Sequence, residues 1–139
     1  ITGYMTDCPF CSIISDKIPS WIIYKSDCVF GFLPRKMDAY GHTIIAPVTH
    51  IEDIYNVDSD ILKKLIVSCK EIALLYNKKL GATGVNLLHA SGFSAQQSIQ
   101  HFHFHLIPRF DNDGLNAWPD LPGSTANNDQ LLEIITRGR

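Results

Sequence analysis

Residues 97–108 read Gln97-Ser98-Ile99-Gln100-His101-Phe102-His103-Phe104-His105-Leu106-Ile107-Pro108. From position 101 onward histidine alternates strictly with a large apolar residue, which is the period of a β-strand. Side chains two residues apart in a strand project from one face, about 6 to 7 Å from each other along it. The stretch therefore predicts a strand over His101–Pro108, called the histidine strand below, with three imidazoles on one face and Phe102, Phe104 and Leu106 in a core behind them.

The clustering of histidines indicates chemistry. Three of the six histidines fall within five residues. A purely structural strand gains nothing from them, because imidazole packs less favourably than valine or isoleucine and each buried ring nitrogen needs a hydrogen-bond partner. We therefore interpret the histidine strand as part of a functional site.

Length and charge limit the possible classes of protein. A chain of 139 residues is long enough for one domain with a substantial core and too short for two of ordinary size, so we expect a single domain over 1–139. A net charge of -2 argues against binding to long nucleic acid or to an anionic membrane surface. No apolar run reaches the roughly 18 to 20 residues that span a bilayer, and we expect a cytoplasmic protein. Residues 1–4, ahead of Met5, could be a remnant of an expression tag.

The apolar pattern predicts one long amphipathic helix and a sheet. From Asp58 to Leu80 apolar residues recur at alternating spacings of three and four; Asp58 or Ser59 can cap the helix, and Gly81 can end it. We expect strands over Trp21–Lys25, Val29–Leu33, His42–Pro47, Val85–His89 and His101–Pro108, and short helices over Phe10–Ile14 and 129–137, the second after a loop over 111–128. Because most links have hairpin length, the class is α+β with a five-stranded antiparallel sheet.

Two metal interpretations arise from the residues alone. Cys8 and Cys11 form a C-x-x-C pair, which in a cytosolic chain indicates a metal knuckle or a redox pair rather than a structural disulfide. A tetrahedral zinc site would need two further ligands. Alternatively, His101, His103 and His105 could hold one catalytic metal with an open coordination position, a scheme in which the cysteines have no role.

The order of motifs resembles a known family. The histidine strand is similar to the motif of the histidine triad (HIT) superfamily of nucleotide hydrolases and transferases. Further marks of that family occur in sequence order: Cys8-Pro9-Phe10-Cys11-Ser12-Ile13-Ile14, Lys17-Ile18-Pro19, Gly41-His42-Thr43-Ile44-Ile45-Ala46-Pro47, Thr49-His50 and Gln97-Ser98. They cover residues 8–110, and the chain looks like the short, zinc-binding branch of histidine triad nucleotide-binding proteins.

The resemblance implies a set of catalytic residues. His103 would be the nucleophile and would form a nucleotidyl-histidine intermediate, and His105 would contact the phosphate. His42 would hold the histidine strand in register and fix an imidazole tautomer, although a hydrogen-bonded core histidine is an equally good interpretation. Ser98 would bond to the leaving group, and Gln97, with nearby N–H groups, would hold a phosphate oxygen. Imidazole suits such chemistry, because its pKa near neutrality leaves a neutral fraction for attack on a phosphorus surrounded by anionic oxygens.

The resemblance also implies a metal and a partner. Zinc-containing members complete the cysteine pair with histidines that match His50 and His101, so a structural Zn²⁺ on Cys8, Cys11, His50 and His101 is expected. A closed site of four protein ligands holds structure and leaves no position for substrate. A homodimer is expected too, formed through the long helix and a sheet edge.

The nucleoside pocket is where this sequence departs from the family pattern. The positions that match the family's apolar cleft are Phe10, Ile13, Phe32 and Leu33, each of which could equally be core. Pro34 stands where relatives carry an Asp that bonds to the ribose hydroxyls, and it offers no side-chain acceptor. Ala90, between His89 and Ser91, stands where many relatives carry an Asn near the active site. The catalytic set is intact and the sugar-binding set is altered.

The sequence thus predicts a hydrolase of purine nucleoside phosphoramidates or related nucleotidyl bonds. The rival enzyme is a dinucleoside polyphosphate hydrolase of the same superfamily, which would attack the same phosphorus and bind a longer ligand. A non-catalytic nucleotide-binding regulatory module is the third interpretation.

Overall fold

The computed structural model describes residues 7–138, so the interpretation of residues 1–4 falls outside the described part of the chain. In chain order the elements are helix α1 (Pro9–Ile14), strands β1 (Trp21–Lys25), β2 (Val29–Leu33) and β3 (Thr43–Pro47), helix α2 (Ser59–Leu80), strands β4 (Gly84–Leu88) and β5 (Phe104–Arg109), and helix α3 (Asn128–Thr136). The strands form one antiparallel sheet in the order β1-β2-β3-β5-β4. The predicted α+β class and the five-stranded sheet are confirmed.

Helix α2 begins and ends where its sequence predicts. The Asp58 side chain accepts a hydrogen bond from the N–H of Ile61, and so satisfies one of the free donors at the N-terminus. Gly81 adopts the left-handed conformation, φ 76°, and its N–H bonds to the Tyr76 carbonyl. No helix among residues 7–138 is long and apolar enough to cross a membrane.

The sheet separates two apolar clusters. One face packs against α2, with Leu65 and Ile72 of the helix against Ile45, Phe102 and Leu106. The other face packs against the short helix α1, with Phe10 and Ile13 against Phe30, Phe32 and Ile44. Because side chains alternate across the strands, the imidazoles of residues 101, 103 and 105 lie on the α1 side and the intervening apolar residues on the α2 side.

The predicted histidine strand begins later than the alternation indicates. Strand β5 starts at Phe104, so His101, Phe102 and His103 precede it. The ladder with β3 stops at the pair Ile45–Phe104, and the ladder with β4 stops at Leu88–His105. Strand β3 ends at Pro47, two residues beyond its last pair with β5, and proline has no N–H to donate. The alternation of sides is therefore correct while the strand assignment for residues 101–103 is wrong.

The other boundaries differ by one residue where they differ. Strand β3 starts at Thr43 rather than His42, and β4 runs over Gly84–Leu88 rather than Val85–His89. Helix α1 starts at Pro9, a residue favoured in the first turn because it lacks the N–H. Asn128, placed in the loop 111–128 by the sequence, is the first residue of α3, and its helix ends at Thr136 rather than 137. The side chain of Asn127 caps this helix.

The turn before His42 depends on a glycine, which gives a test of the fold. Gly41 has φ 76°, and a Cβ at that position would lie 2.7 Å from Cγ of the buried Pro108. Gly81 has the same φ of 76° and no heavy atom within 4 Å of the corresponding Cβ. Gly81→Ala should lower the free energy of unfolding by about 1–2 kcal/mol, the cost of the left-handed conformation, and Gly41→Ala by at least ~1 kcal/mol more because of the clash. Urea denaturation of both variants would measure this, and equal losses would contradict the packing of Gly41 against Pro108.

Candidate functional site

His103 is oriented by its own chain. Its Nδ1 lies 2.7 Å from the carbonyl oxygen of His101, and a carbonyl only accepts, so Nδ1 carries the proton. The lone pair is then on Nε2. The ring is packed edge-on against Phe10, with centroids 4.9 Å apart, and only 4% of the residue is exposed. A side-chain-to-backbone hydrogen bond and an aromatic neighbour thus fix both the tautomer and the plane of this imidazole.

Nε2 of His103 is left without a partner among residues 7–138. Nε2 makes no hydrogen bond within residues 7–138. Every fully buried side-chain nitrogen in that range does have a hydrogen-bond partner. Nε2 must therefore reach the surface. Burial lowers the pKa of His103 to about 4, although the hydrogen bond to the His101 carbonyl opposes the shift, and nearby histidines lower it further. The ring is neutral at pH 7 and offers an available lone pair.

His42 and His105 form a directed pair. The N–H of Asp38 donates to Nδ1 of His42 at 3.1 Å, so the proton of a neutral His42 ring is on Nε2. Nε2 of His42 lies 2.9 Å from Nδ1 of His105 and donates to it. A neutral His105 ring therefore carries its proton on Nε2. Burial lowers the pKa of both rings; the Asp38 carboxylate opposes the shift in both, and His42 adds to it in His105. His105 is thereby a neutral donor, its ring centroid 4.8 Å from that of His103.

Four side chains from three parts of the chain meet at a second cluster. Cys8, the N-cap of α1, and Cys11 in its first turn place Sγ 3.4 and 3.6 Å from Nδ1 of His101. Nδ1 of His50 lies 3.5 Å from Sγ of Cys11. All four ligand atoms lie within 4.8 Å of one another, and this is the group in residues 7–138 that could hold a metal ion.

The donor set of this cluster fits zinc. Nε2 of His101 donates to the Pro47 carbonyl at 2.8 Å, which leaves the lone pair of Nδ1 facing both sulfurs. Two sulfurs and two imidazole nitrogens are a common tetrahedral zinc set, and a hydrogen bond from the outer ring nitrogen is the usual support of such a ligand. In the described chain the three histidines of the 101–105 segment are not brought together as a metal-binding group; His101 instead joins the two cysteines and His50.

Gln97 and Ser98 have different environments. Gln97 is buried; its Oε1 accepts from the N–H of Gly92, and its Nε2 donates to the carbonyls of Glu52 and Ile99. The amide therefore braces the loop between β4 and β5 and has no group left for a ligand. Ser98 is exposed, and its hydroxyl makes no hydrogen bond to residues 7–138. It lines a cleft of about 380 Å³ with Cys8 and His50.

The predicted nucleoside pocket is narrow in this structure. Phe10, Ile13 and Phe32 are buried in the α1 cluster. A cavity of about 70 Å³ is lined by Ile13, Phe32, Leu33 and Pro34 together with Trp21 and Arg35, below the about 300 Å³ from which ligand pockets ordinarily start. A larger cavity, about 310 Å³, lies on the far side of the site, lined by His42, His105, Asp38, Leu88 and the loop over 115–117.

Several contributors to the site are backbone groups that a sequence pattern does not mark. The N–H of Phe102 donates to the carbonyl of Ile51 at 2.6 Å. His89 contacts the His103 carbonyl through Nδ1 at 2.9 Å. The sequence offered one signal, the departure from the family at residues 89–91, without assigning a role to it.

Comparison with known proteins identifies the family. Residues 15–112 match the model of the HIT domain. The chain is 38% identical over 113 residues to an uncharacterized HIT-like protein of Borreliella burgdorferi, with 79% of this chain and 81% of the relative covered. It is 32% identical over 118 residues to the adenosine 5'-monophosphoramidase HNT1 of Candida albicans, covering 81% of this chain and 78% of that protein. The chain belongs to the HIT domain family, whose members are generally nucleotide hydrolases.

Solved structures agree with this assignment. A protein of Streptococcus mutans superposes with a TM-score of 0.84 at 27% identity, covering 97% of this chain and 85% of that one. A zinc-bound histidine triad family protein of Mycobacterium smegmatis superposes with a TM-score of 0.76 at 30% identity, covering 82% and 83% of the two chains. The resemblance recognised in the sequence is confirmed.

Proposed function

We propose that this protein hydrolyses purine nucleoside phosphoramidates or closely related nucleotidyl bonds, with His103 as the nucleophile. The observation that carries the proposal is the state of His103: neutral, with its proton on Nδ1 and its Nε2 lone pair not engaged by residues 7–138. The phosphoramidase named among the relatives supports the reaction class.

The proposed chemistry proceeds in two displacements. Nε2 of His103 attacks the phosphorus, a bond from this nitrogen to phosphorus forms, and the P–N bond breaks, with the departing nitrogen taking a proton from solvent water and leaving as a neutral amine. The ring becomes cationic as it bonds, and the His101 carbonyl on its Nδ1–H stabilises that charge. Water then breaks the His103–phosphorus bond, releases the nucleotide and returns the neutral ring. The attacking water of the second step returns a proton to the solvent.

The neighbouring groups take supporting roles in this proposal. His105 donates from Nε2 to a phosphate oxygen, and His42 holds that tautomer through the 2.9 Å contact to Nδ1. Ser98 bonds to the leaving group. Gln97 contributes by bracing the loop between β4 and β5 through its amide, so that a neighbouring backbone N–H is positioned to donate to a phosphate oxygen. The base is proposed to enter beside Phe10, Ile13, Phe32, Leu33 and Pro34, which requires the narrow cavity there to widen.

Replacement of His103 tests the nucleophile. His103→Ala should reduce the turnover of adenosine 5'-phosphoramidate by more than about 10³-fold, because no other group replaces a covalent nucleophile. Wild type quenched during turnover should carry one nucleotidyl group, located on His103 by mass spectrometry.

The controls separate the alternatives. His103→Ala must keep the circular dichroism spectrum and the thermal midpoint of wild type. Equal, negligible rates in both folded proteins would favour the nucleotide-binding module. A higher kcat/KM for a diadenosine polyphosphate than for the phosphoramidate would favour the rival hydrolase.

We further propose that Cys8, Cys11, His50 and His101 hold a structural Zn²⁺. When bound, the ion would tie α1 to the loop after β3 and to the residue two before His103. With four protein ligands it leaves no position for substrate. Thiolate ligands require reduced cysteines, which agrees with the cytoplasm as the proposed compartment.

Metal content and stability test this site together. Purified protein should contain one zinc per chain by elemental analysis, and Cys11→Ser should lose most of it along with several degrees of thermal stability. Cys28→Ser is the matched control, because Cys28 lies outside the cluster, and it should keep the zinc. A fully folded, metal-free protein should keep measurable turnover, lowered only as far as the position of His103 loosens; complete loss of activity would contradict a structural role.

A homodimer through α2 and the edge strand β4 is also proposed. Both elements expose apolar side chains in this chain: Ile66 (45%), Leu74 (59%), Val85 (42%) and Leu87 (40%). Strand β4 is at the end of the sheet, so its outer backbone groups are unpaired by the sheet itself.

Light scattering tests the dimer. Wild type should have a molecular mass of twice 15.6 kDa, and Leu74→Asp should shift it towards 15.6 kDa. Leu132→Asp, on α3, is the control for adding a charge at an exposed leucine and should keep the dimer mass. A wild-type mass of 15.6 kDa at all concentrations would exclude the dimer.

A further inference from the structure

The carbonyl of His103 lies outside both strand ladders. Strand β5 begins at the next residue, and β4 makes its last pair at Leu88–His105. A backbone carbonyl at a sheet end needs another donor or water. Here the donor is the imidazole of His89, the residue that follows β4, whose Nδ1 lies 2.9 Å from the His103 oxygen. The side chain of His89 thus bonds to the His103 carbonyl where a strand backbone N–H would otherwise do so.

A second hydrogen bond holds the other ring nitrogen of His89. Nε2 of His89 lies 2.6 Å from Oγ of Ser91, and the same oxygen accepts from the N–H of Ile54 at 2.9 Å. Because the Ile54 N–H can only donate, the single hydroxyl proton of Ser91 is free to point to Nε2. That geometry matches a His89 ring with its proton on Nδ1, the nitrogen that must donate to the His103 carbonyl. The Nδ1 contact requires this proton, and the Ser91 contact is compatible with it, since a hydroxyl can donate to Nε2.

The ring of His89 is also held by packing. It lies against Phe102 and Phe104, the two sequence neighbours of His103, with centroids 4.5 and 5.3 Å away. The imidazole therefore packs against the phenyl rings of both residues that flank His103, which restrains its position beside the His103 carbonyl.

We infer that His89 is a positioning residue for the reaction of His103, and that Ser91 sets the tautomer in which His89 acts. The inference rests on the proposed role of His103 as nucleophile. His101 holds the side chain of His103 through Nδ1, whereas His89 holds the backbone through the carbonyl; together they determine where Nε2 points.

Loss of this contact should affect the rate more than binding. His89 touches none of the groups proposed to bind the nucleotide, and a displacement of about 1 Å at a reacting atom can cost on the order of 100-fold in rate. His89→Ala should therefore lower kcat for adenosine 5'-phosphoramidate by about 10- to 100-fold with KM changed by less than about threefold.

Two amide variants distinguish positioning from general stability. An Asn amide can place its N–H₂ near the site of Nδ1, whereas a Gln amide reaches toward the site of Nε2. His89→Asn should recover most of the wild-type kcat, and His89→Gln should not. Equal kcat values for the Asn and Gln variants, or a wild-type kcat in His89→Ala, would overturn the inference. If His89→Ala does not fold, the comparison of Asn with Gln carries the test.

Nitrogen-15 NMR of the imidazoles gives a reading that is independent of turnover. Wild type should show His89 as the Nδ1–H tautomer, and Ser91→Ala should show a mixture with the Nε2–H form. A wild-type Nε2–H tautomer would overturn the inference even with full activity. Absence of turnover in wild type together with the Nδ1–H tautomer would instead overturn the proposed function and leave the arrangement of His89 standing.

Discussion

The site depends on one hydrogen bond, from Nδ1 of His103 to the carbonyl oxygen of His101. An imidazole in water exchanges its proton between two nitrogens and rotates about its side-chain bonds. This contact removes both freedoms, because the carbonyl accepts only from a protonated Nδ1 and lies on the same short segment of chain. Nε2 is then the nitrogen with a lone pair. Everything proposed for the chemistry of this protein follows from that assignment.

The contact is possible because the segment 101–103 is not a regular strand. In a continued ladder, the carbonyl of His101 and the N–H of Phe102 would be directed to strand partners. Strand β3 ends at Pro47, and β4 ends at Leu88. The segment 101–103 is held instead by the Ile51 carbonyl, the Pro47 carbonyl and two imidazoles. Its carbonyls are thus available to fix side chains rather than neighbouring strands.

The sequence predicts interactions between residues that are close together in the chain, and it does not predict those between residues that are far apart. The caps of α2 at Asp58 and Gly81 are local, and the alternation at 101–106 gives the two faces correctly. The tautomers of His42 and His105 depend on the Asp38 N–H, and the amide of Gln97 bonds to Glu52, 45 residues away in sequence. A sequence pattern cannot predict such contacts, because the backbone N–H and carbonyl groups are the same at every position. The resemblance to the HIT family supplied the grouping of the cysteines with His50 and His101, which spacing alone left open, and the structure brings those four together.

His101 connects the proposed zinc site to the proposed nucleophile. Its Nδ1 faces the two cysteine sulfurs, its Nε2 donates to Pro47, and its carbonyl accepts from His103. Burial lowers the pKa of this ring to about 4, so the neutral form that a metal ligand requires is present at pH 7 without the ion. Zinc bound there would restrain the residue whose carbonyl orients His103. A structural ion can in this way affect the geometry of catalysis while coordinating none of the reacting atoms, since it acts on the backbone that carries the acceptor.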